Sequence, residues 1–196
     1  GTLDGTNPVQ AVAGIATIRV KSGTTISSYI INANSAGLTL VNGSTITYVH
    51  GYANMLVTSV DNQYIEANGT SYATITTRIF DRYGNFVNTG PDSTKLIIYK
   101  ITGTENATWF DGTVTDKQVG ATAGVATISL KSTSHPGPVT VTSSSTFVIG
   151  DSTGITVVAG NPTKILLNSS RLTVIADGIS LTTITARVTD ANDNIV

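Results

Sequence analysis

An all-β chain built from repeated two-sheet sandwiches is what this sequence predicts, and three observations predict it. The first is an internal repeat. Ala67-Asn68-Gly69, Ser71, Thr74-Ile75-Thr76, Arg78, Asp81 and Asn85-Phe86-Val87 recur as Ala176-Asp177-Gly178, Ser180, Thr183-Ile184-Thr185, Arg187, Asp190 and Asn194-Ile195-Val196, with Ile184 standing 109 positions after Ile75. A second pair, Gly14 to Ser22 against Gly124 to Ser132, is offset by 110. A period near 109–110 is too long for a solenoid turn or a propeller blade and suits one whole domain. The second observation is composition: Thr, Ser, Val, Ile, Asn and Gly dominate while Leu, Glu, Lys and Met are scarce, a balance that favours strands and turns. The third is pattern. Short runs alternate apolar and polar residues between Gly, Asn, Asp and Ser clusters, and no window sustains helical spacing.

Composition also limits function. Eleven Lys and Arg face twelve Asp and Glu, a net charge of −1 with no basic run, which argues against nucleic-acid binding. Apolar residues at 40% are enough to fill cores and argue against disorder. With no cysteine there are no disulfides, thiolate metal sites or thiol nucleophiles. No signal peptide, lipidation signal or membrane-spanning run is visible in this stretch, so no membrane insertion is expected of it.

Taken in order, residues 1–50 read as the C-terminal part of one domain, with strands at Ile15 to Val20, Tyr29 to Ile31 and Thr45 to Val49. Turn clusters lie at Asn34 to Gly37 and Asn42 to Ser44. Gly51-Tyr52-Ala53 is a short junction whose counterpart is Gly160-Asn161-Pro162, and links this short leave little room for flexing. Residues 51–159 read as the one complete domain. Its strands are Met55 to Val60; Tyr72 to Phe80, with Ala73, Ile75, Thr77 and Ile79 on one face; Phe86-Val87; and Lys95 to Lys100. Trp109-Phe110, Val125 to Leu130, Val139 to Thr142, Phe147 to Ile149 and Ile155 to Val158 follow. Eight or nine short strands at this spacing predict a two-sheet sandwich. Residues 160–196 read as the N-terminal part of the next domain. The two end pieces together cover a repeat except for the part matching 88–110. The expectation is that they belong to a longer protein; the alternative is completion by other copies through strand addition.

The repeated motif resembles the bacterial immunoglobulin-like repeats of group 1, the invasin and intimin kind. Those carry A-(N/D)-G-x-S-x-x-T-I-T-A-x-V-x-D-x-x-G-N-x-V, followed later by G-x-A-T-(I/V)-x-(L/V)-x-S. Here Ala176-Asp177-Gly178, Ser180, Thr183-Ile184-Thr185-Ala186, Val188, Asp190 and Asn194 match the first part, and Gly124 to Ser132 the second. Asp193 departs from the pattern where Gly84 keeps it, and residues 88–110 match nothing in it. The resemblance implies tandem immunoglobulin-like β-sandwich domains in an end-to-end array on a cell surface.

Candidate chemistry is sparse. The two histidines, His50 at a junction and His135 in the Ser134-His135-Pro136-Gly137 loop, accompany no nucleophile elbow. The two glutamates, Glu66 and Glu105, do not recur, and Asp81 and Asp190 each open a turn whose N–H groups an Asp side chain caps. No catalytic residue is assigned. Asp190, Asn192 and Asn194 form a partial calcium pattern that lacks the Gly and the bidentate Glu of a full loop, and Asp61 or Asp151 are calcium candidates at a junction. Asn42, Asn68, Asn106 and Asn168 each open an N-glycosylation sequon. Lys95 and Lys100 flank a core strand, where a Lys–Asn isopeptide bond is the special reading. Trp109-Phe110 reads as core, with an exposed sugar-stacking pair as the other reading.

These readings predict an extracellular, non-catalytic repeat of a stalk, sheath, surface layer or filament. Its partners would be neighbouring domains of the same chain or other copies of itself. The alternatives are an adhesin module that recognises glycans or proteins and, more remotely, an accessory domain of a secreted polysaccharide-degrading enzyme.

Overall fold

The alternation that marks each strand also decides which residues meet inside. The computed structural model describes residues 1–39 and 43–196, and these hold fifteen strands and one 3-10 turn, Pro91–Thr94. The N-terminal segment has four strands: β1 (Thr2–Asp4), β2 (Arg19–Lys21), β3 (Ser27–Ile31) and β4 (Ser44–Tyr48). The middle holds β5 (Ala53–Val60), β6 (Tyr64–Glu66), β7 (Tyr72–Asp81), β8 (Leu96–Thr102), β9 (Ala107–Trp109), β10 (Lys117–Gly120), β11 (Val125–Ser132), β12 (Gly137–Ser145) and β13 (Val148–Val158). The C-terminal segment adds β14 (Lys164–Ser169) and β15 (Ile184–Thr189).

The middle strands form an immunoglobulin-like sandwich. One layer runs β5-β7-β11-β9 and the other β13-β12-β8, in strand order A-B-E-D facing G-F-C, and the two are joined where β13 pairs parallel with β5 at Ile149 and Met55. Two edge strands extend the second sheet: β10 beside β8, and β6 parallel to β13, with Ile65 opposite Val157. Every connection from β5 through β12 crosses between the sheets, so each strand packs its inward residues against the opposite layer. On β7 these are Ala73, Ile75, Thr77 and Ile79, all buried, whereas Arg78 faces out. Trp109 and Tyr99 meet edge to face between the sheets (6.4 Å), and the Tyr99 hydroxyl donates to the Ala126 carbonyl (3.1 Å). Where β5 parts from β13, the buried hydroxyls of Thr58, Thr77 and Ser143 bond one another (3.0 and 2.6 Å). There the Asp151 carboxylate accepts the Thr58 N–H (2.6 Å). These three buried hydroxyls are thus paired across the seam, as their desolvation requires, whereas the buried Ser132 hydroxyl on β11 has no partner.

The end segments repeat the pairings of the middle. Leu3 opposite Val20 matches Trp109 opposite Leu130; Ser27 opposite Tyr48 matches Gly137 opposite Val157; Lys164 opposite Thr189 matches Met55 opposite Phe80.

Several boundaries differ from the sequence pattern. Within Ile15 to Val20, Ile15 makes only a bridge to Val12 and the strand proper begins at Arg19, because its counterpart β11 is flanked by β7 and β9 while β2 has only β1 beside it. Phe147 to Ile149 and Ile155 to Val158 are one strand, β13, and Phe147 is a turn residue at φ 58°. β6 and β10 are edge strands of three and four residues, too short for alternation to reveal. The aromatic pair splits: Trp109 is core and Phe110 is exposed. Accordingly Trp109→Ala is expected to destabilise the sandwich by about 3–5 kcal/mol and Phe110→Ala by about 0.5 kcal/mol or less, measured by urea unfolding followed by far-UV circular dichroism. Equal costs for the two would contradict this packing.

Candidate functional site

The densest polar construction lies where the chain enters the sandwich. β7 ends on Asp81, whose side chain is 1% exposed. Its Oδ1 accepts the backbone N–H groups of Tyr83 (2.8 Å) and Asn85 (2.9 Å), an Asx turn closed by the Asp81 N–H to the Asn85 carbonyl (2.9 Å). Its Oδ2 accepts the Gly51 N–H from the junction (2.8 Å) and the Asn85 side-chain amide (2.9 Å). Four N–H donors therefore fill one carboxylate. Burial alone pushes this carboxyl upward and is the largest single effect. The Asn85 amide, the Gly51 N–H and the two turn N–H groups together outweigh it and hold the pKa at about 2.

The same construction recurs one repeat later. Asp190 accepts from the backbone of Asn192 and Asn194 (both 2.9 Å), from the Asn194 amide (2.9 Å) and from the Gly160 N–H (2.8 Å). Burial again acts upward and the four donors again win, leaving its pKa at about 2. Asp193, which takes the place of Gly84, adopts φ 66°, a conformation that Asp tolerates better than most residues. Its carboxylate ion-pairs with Lys164 (2.8 Å).

Further bonds tie each junction. At the first, the Ala53 N–H donates to Asp92 (2.9 Å). That bond, with the Lys95 ion pair (3.1 Å), lowers the Asp92 pKa against the opposing effect of burial. The Asn85 amide also donates to the Thr24 carbonyl (2.8 Å) and its oxygen accepts the Ile26 N–H (3.3 Å), reaching the preceding segment. At the second, the position of Ile26 is taken by Pro136, which has no N–H to offer. There the contact is made instead by the Asn192 amide, which donates to the Ala67 carbonyl (2.9 Å).

The other sequence candidates are placed as follows. His50 bonds the Gly51 carbonyl (2.8 Å) and the Thr89 hydroxyl (2.9 Å), and His135 is exposed in its loop. Glu66 lies on β6 and Glu105 in the β8–β9 turn, and among the described residues no three His, Cys, Asp or Glu gather as a metal set. Asp190, Asn192 and Asn194 do come together, but the Asp190 oxygens are filled by N–H groups and both amides are spent as donors. In this arrangement the Asn194 amide satisfies Asp190, while the Asn192 amide goes to the Ala67 carbonyl. Asp61 accepts the Thr74 N–H (2.8 Å) and Asp151 the Thr58 N–H, so both act as strand caps.

Asn106 is buried and its amide donates to the Pro138 carbonyl (3.2 Å), so that sequon is closed in the folded protein. Asn168 is exposed on β14, Asn68 is half-buried in a turn, and Asn42 lies outside the described residues. Lys95 pairs with Asp92, not with an asparagine, and Lys100 is exposed. Sequence reasoning found the turn-capping role of Asp81 and Asp190 but missed its reach to Gly51 and Gly160. The equal 30-residue spacing of each Gly–Asp pair was the available signal.

No protein-family model matches the chain, and no curated protein sequence does. Among solved structures, the Escherichia coli adhesin FdeC aligns with 88% of this chain and 53% of its own, at 23% identity and a TM-score of 0.49. A glycosyl hydrolase family 2 member from Bacteroides cellulosilyticus aligns with 71% of this chain and 18% of its own, at 18% identity and a TM-score of 0.47. A β-glycosidase from Bacteroides vulgatus aligns with 76% and 19%, at 13% identity and a TM-score of 0.49. The chain thus spans about half or less of the proteins it aligns with. Its fold assignment rests on its own strand order.

The depressed pKa of Asp81 fixes the sign of a pH effect. The unfolded carboxyl, at its ordinary 3.8, takes a proton before the folded one does. The stability that Asp81 provides is therefore complete above that value and is lost as pH falls towards 2. Asp81→Asn is expected to cost on the order of 3 kcal/mol at neutral pH, since it sets an amide against buried N–H donors. The gap in melting temperature between the two proteins should then narrow from pH 4 to pH 2, and parallel curves would refute the assignment.

Proposed function

We propose that this chain is an extracellular structural repeat, a segment of a stalk, sheath, surface layer or filament whose tandem immunoglobulin-like units space or assemble without catalysis. The observation that carries this reading is the carboxylate anchor built twice, Gly51 to Asp81 and Gly160 to Asp190, one repeat apart. In each, the backbone that links one unit to the next is bonded to the end of a core strand. The entry angle of the chain is then fixed by the fold itself, and a short link so tied transmits orientation from unit to unit. The repeat motif, similar to that of invasin- and intimin-type surface proteins, and the absence of cysteine from the sequence agree with this reading.

The end segments support it further. Ile75, Ile79 and Val87 are buried in the middle sandwich, while their counterparts Ile184, Val188 and Val196 are exposed, Ile184 at 58%. Leu56 and its counterpart Ile165 differ in the same way. Apolar faces of this kind are core faces that await the opposite sheet. Neighbouring units of the same chain, or other copies adding their strands, would cover them. Residues 1–50 and 160–196 are on this reading parts of flanking domains. An exposed glycan on Asn168 or Asn68 is compatible with it, on the edge and turn positions those residues hold.

Hydrogen exchange tests the assignment. In native assembled material the amides of β3, β4, β14 and β15 are expected to exchange as slowly as those of β5 and β7. In the isolated 196-residue chain they should exchange far faster than the middle sandwich. Uniform protection in the isolated chain would show that the end segments need no neighbours, and the tandem reading would fall.

A further inference from the structure

We propose that the middle sandwich carries a binding groove for a neutral oligosaccharide, formed between β6 and the start of β7. This goes beyond the spacing role and is independent of it. The groove has a volume of about 310 Å³, at the lower end of the range for small-molecule sites, and is open along its length. Tyr64 and Tyr72 line it, 65% and 61% exposed. Their placement follows from strand alternation. Ile65 and Ala73 point into the core, so Tyr64, Glu66 and Tyr72 all turn outward.

The walls are held before any ligand arrives. Asn68 accepts the Thr70 N–H (2.9 Å), the Thr70 hydroxyl (2.9 Å) and the Ser71 N–H (2.7 Å), and the Gly69 N–H donates to the Thr133 carbonyl (3.2 Å). On the far side Asn62 accepts the Tyr64 N–H (3.1 Å). Phe110 stands at 88° to Tyr72 with ring centres 6.4 Å apart and buttresses it edge-on. Phe110, read from sequence with Trp109 as core, is thus exposed and packs on Tyr72, a contact that sequence spacing did not reveal.

The chemistry of the lining selects the ligand class. Two exposed rings offer flat apolar faces, which suit the C–H faces of pyranose rings whose hydroxyls are equatorial. The Glu66 carboxylate, the Asn62 side-chain NH2 and both tyrosine hydroxyls have no protein hydrogen-bond partner among the described residues, the Asn62 oxygen being taken by the Tyr64 N–H, so acceptors and donors are free to meet sugar hydroxyls. The groove holds one carboxylate and no cationic side chain, which disfavours uronic acids, sialic acids and sulfated sugars.

The fold does not demand these residues. In the following repeat Ala176, Gly178, Ser180 and Ile184 keep the framework of Ala67, Gly69, Ser71 and Ile75. The groove positions change: Asn62, Tyr64, Glu66 and Tyr72 are replaced by Arg171, Thr173, Ile175 and Leu181. Two exposed tyrosines and an acid at this groove are therefore not required by the repeat framework.

Titration calorimetry of the 196-residue chain tests the proposal, with the β-1,4-linked hexasaccharides of glucose and of N-acetylglucosamine as probes and the hexamer of α-1,4-galacturonic acid as the anionic counterpart. At least one neutral hexamer is expected to bind with a Kd of about 1 mM or below. Tyr64→Ala and Tyr72→Ala should each weaken it about tenfold and Glu66→Gln about fivefold. Phe147→Ala, an exposed aromatic elsewhere, should leave it unchanged. Far-UV circular dichroism of each variant confirms folding, which these outward positions do not threaten. No heat from either neutral hexamer at about 10 mM, a preference for the anionic hexamer, or wild-type affinity in both tyrosine variants would overturn the proposal.

Discussion

A buried carboxylate with four N–H donors is the constraint on which the rest depends. An ionised acid removed from water is tolerated only when its lone pairs are filled, and Asp81 fills them from three places: its own turn, the Asn85 side chain and the junction residue Gly51. One group thereby closes the turn after β7, ends the strand and fixes the peptide that leads into β5. Since β5 and β7 are antiparallel neighbours in one sheet, the anchor joins the start of one to the end of the other, 30 residues apart. The Gly51 peptide that leads into β5 is in this sense part of the sandwich, held by the same carboxylate that ends β7.

Inside the sandwich, the two sheets are tied without a disulfide. In antibody domains a tryptophan on strand C packs on a bridge between the sheets. Here the large aromatic on strand C is Tyr99, the tryptophan lies on strand D, and their rings meet in the space between. The Tyr99 hydroxyl reaches the backbone of β11, so a hydrogen bond crosses the core where a covalent bond would otherwise do so. The hydroxyls of Thr58, Thr77 and Ser143 complete a second crossing beside β13. Both crossings demand a particular register, because an unpaired hydroxyl at either place would be buried and unsatisfied.

Much of this was legible in the sequence, for reasons that can be named. β7 announces itself because its inward positions are small or β-branched and its outward ones polar, and the Asp81-to-Asn85 turn follows from residue types that favour Asx turns. The long strands were placed within a few residues. What escaped notice was whatever depends on a partner. β2 is shorter than its pattern because a strand extends only as far as something pairs with it. β6 and β10 exist because a neighbouring edge, on β13 or β8, holds them. Asn106, read as a sugar acceptor, is buried because its amide satisfies the Pro138 carbonyl beside Gly137, where there is no side chain to compete for the space. The Tyr64–Tyr72 groove brings together residues whose placement is set by the turn between them, and no periodicity records that.

The repeat also separates what is fixed from what is free. The anchor at Asp81 and Asp190 is the same to within a tenth of an ångström in its four shared bonds, although the residue at the tight corner changes from Gly84 to Asp193. The contacts that leave the anchor do not repeat. Asn85 reaches Thr24 and Ile26 at the first junction; at the second, Pro136 removes one of those partners and Asn192 bonds Ala67 instead. An anchor that satisfies its own charge locally does not need any one outward contact, so the contacts around it can change without unsettling the turn. The outward positions Asn62, Tyr64, Glu66 and Tyr72 likewise become Arg171, Thr173, Ile175 and Leu181 one repeat later, while the anchor is kept. Because its four bonds are local, the anchor leaves those surface positions free to differ.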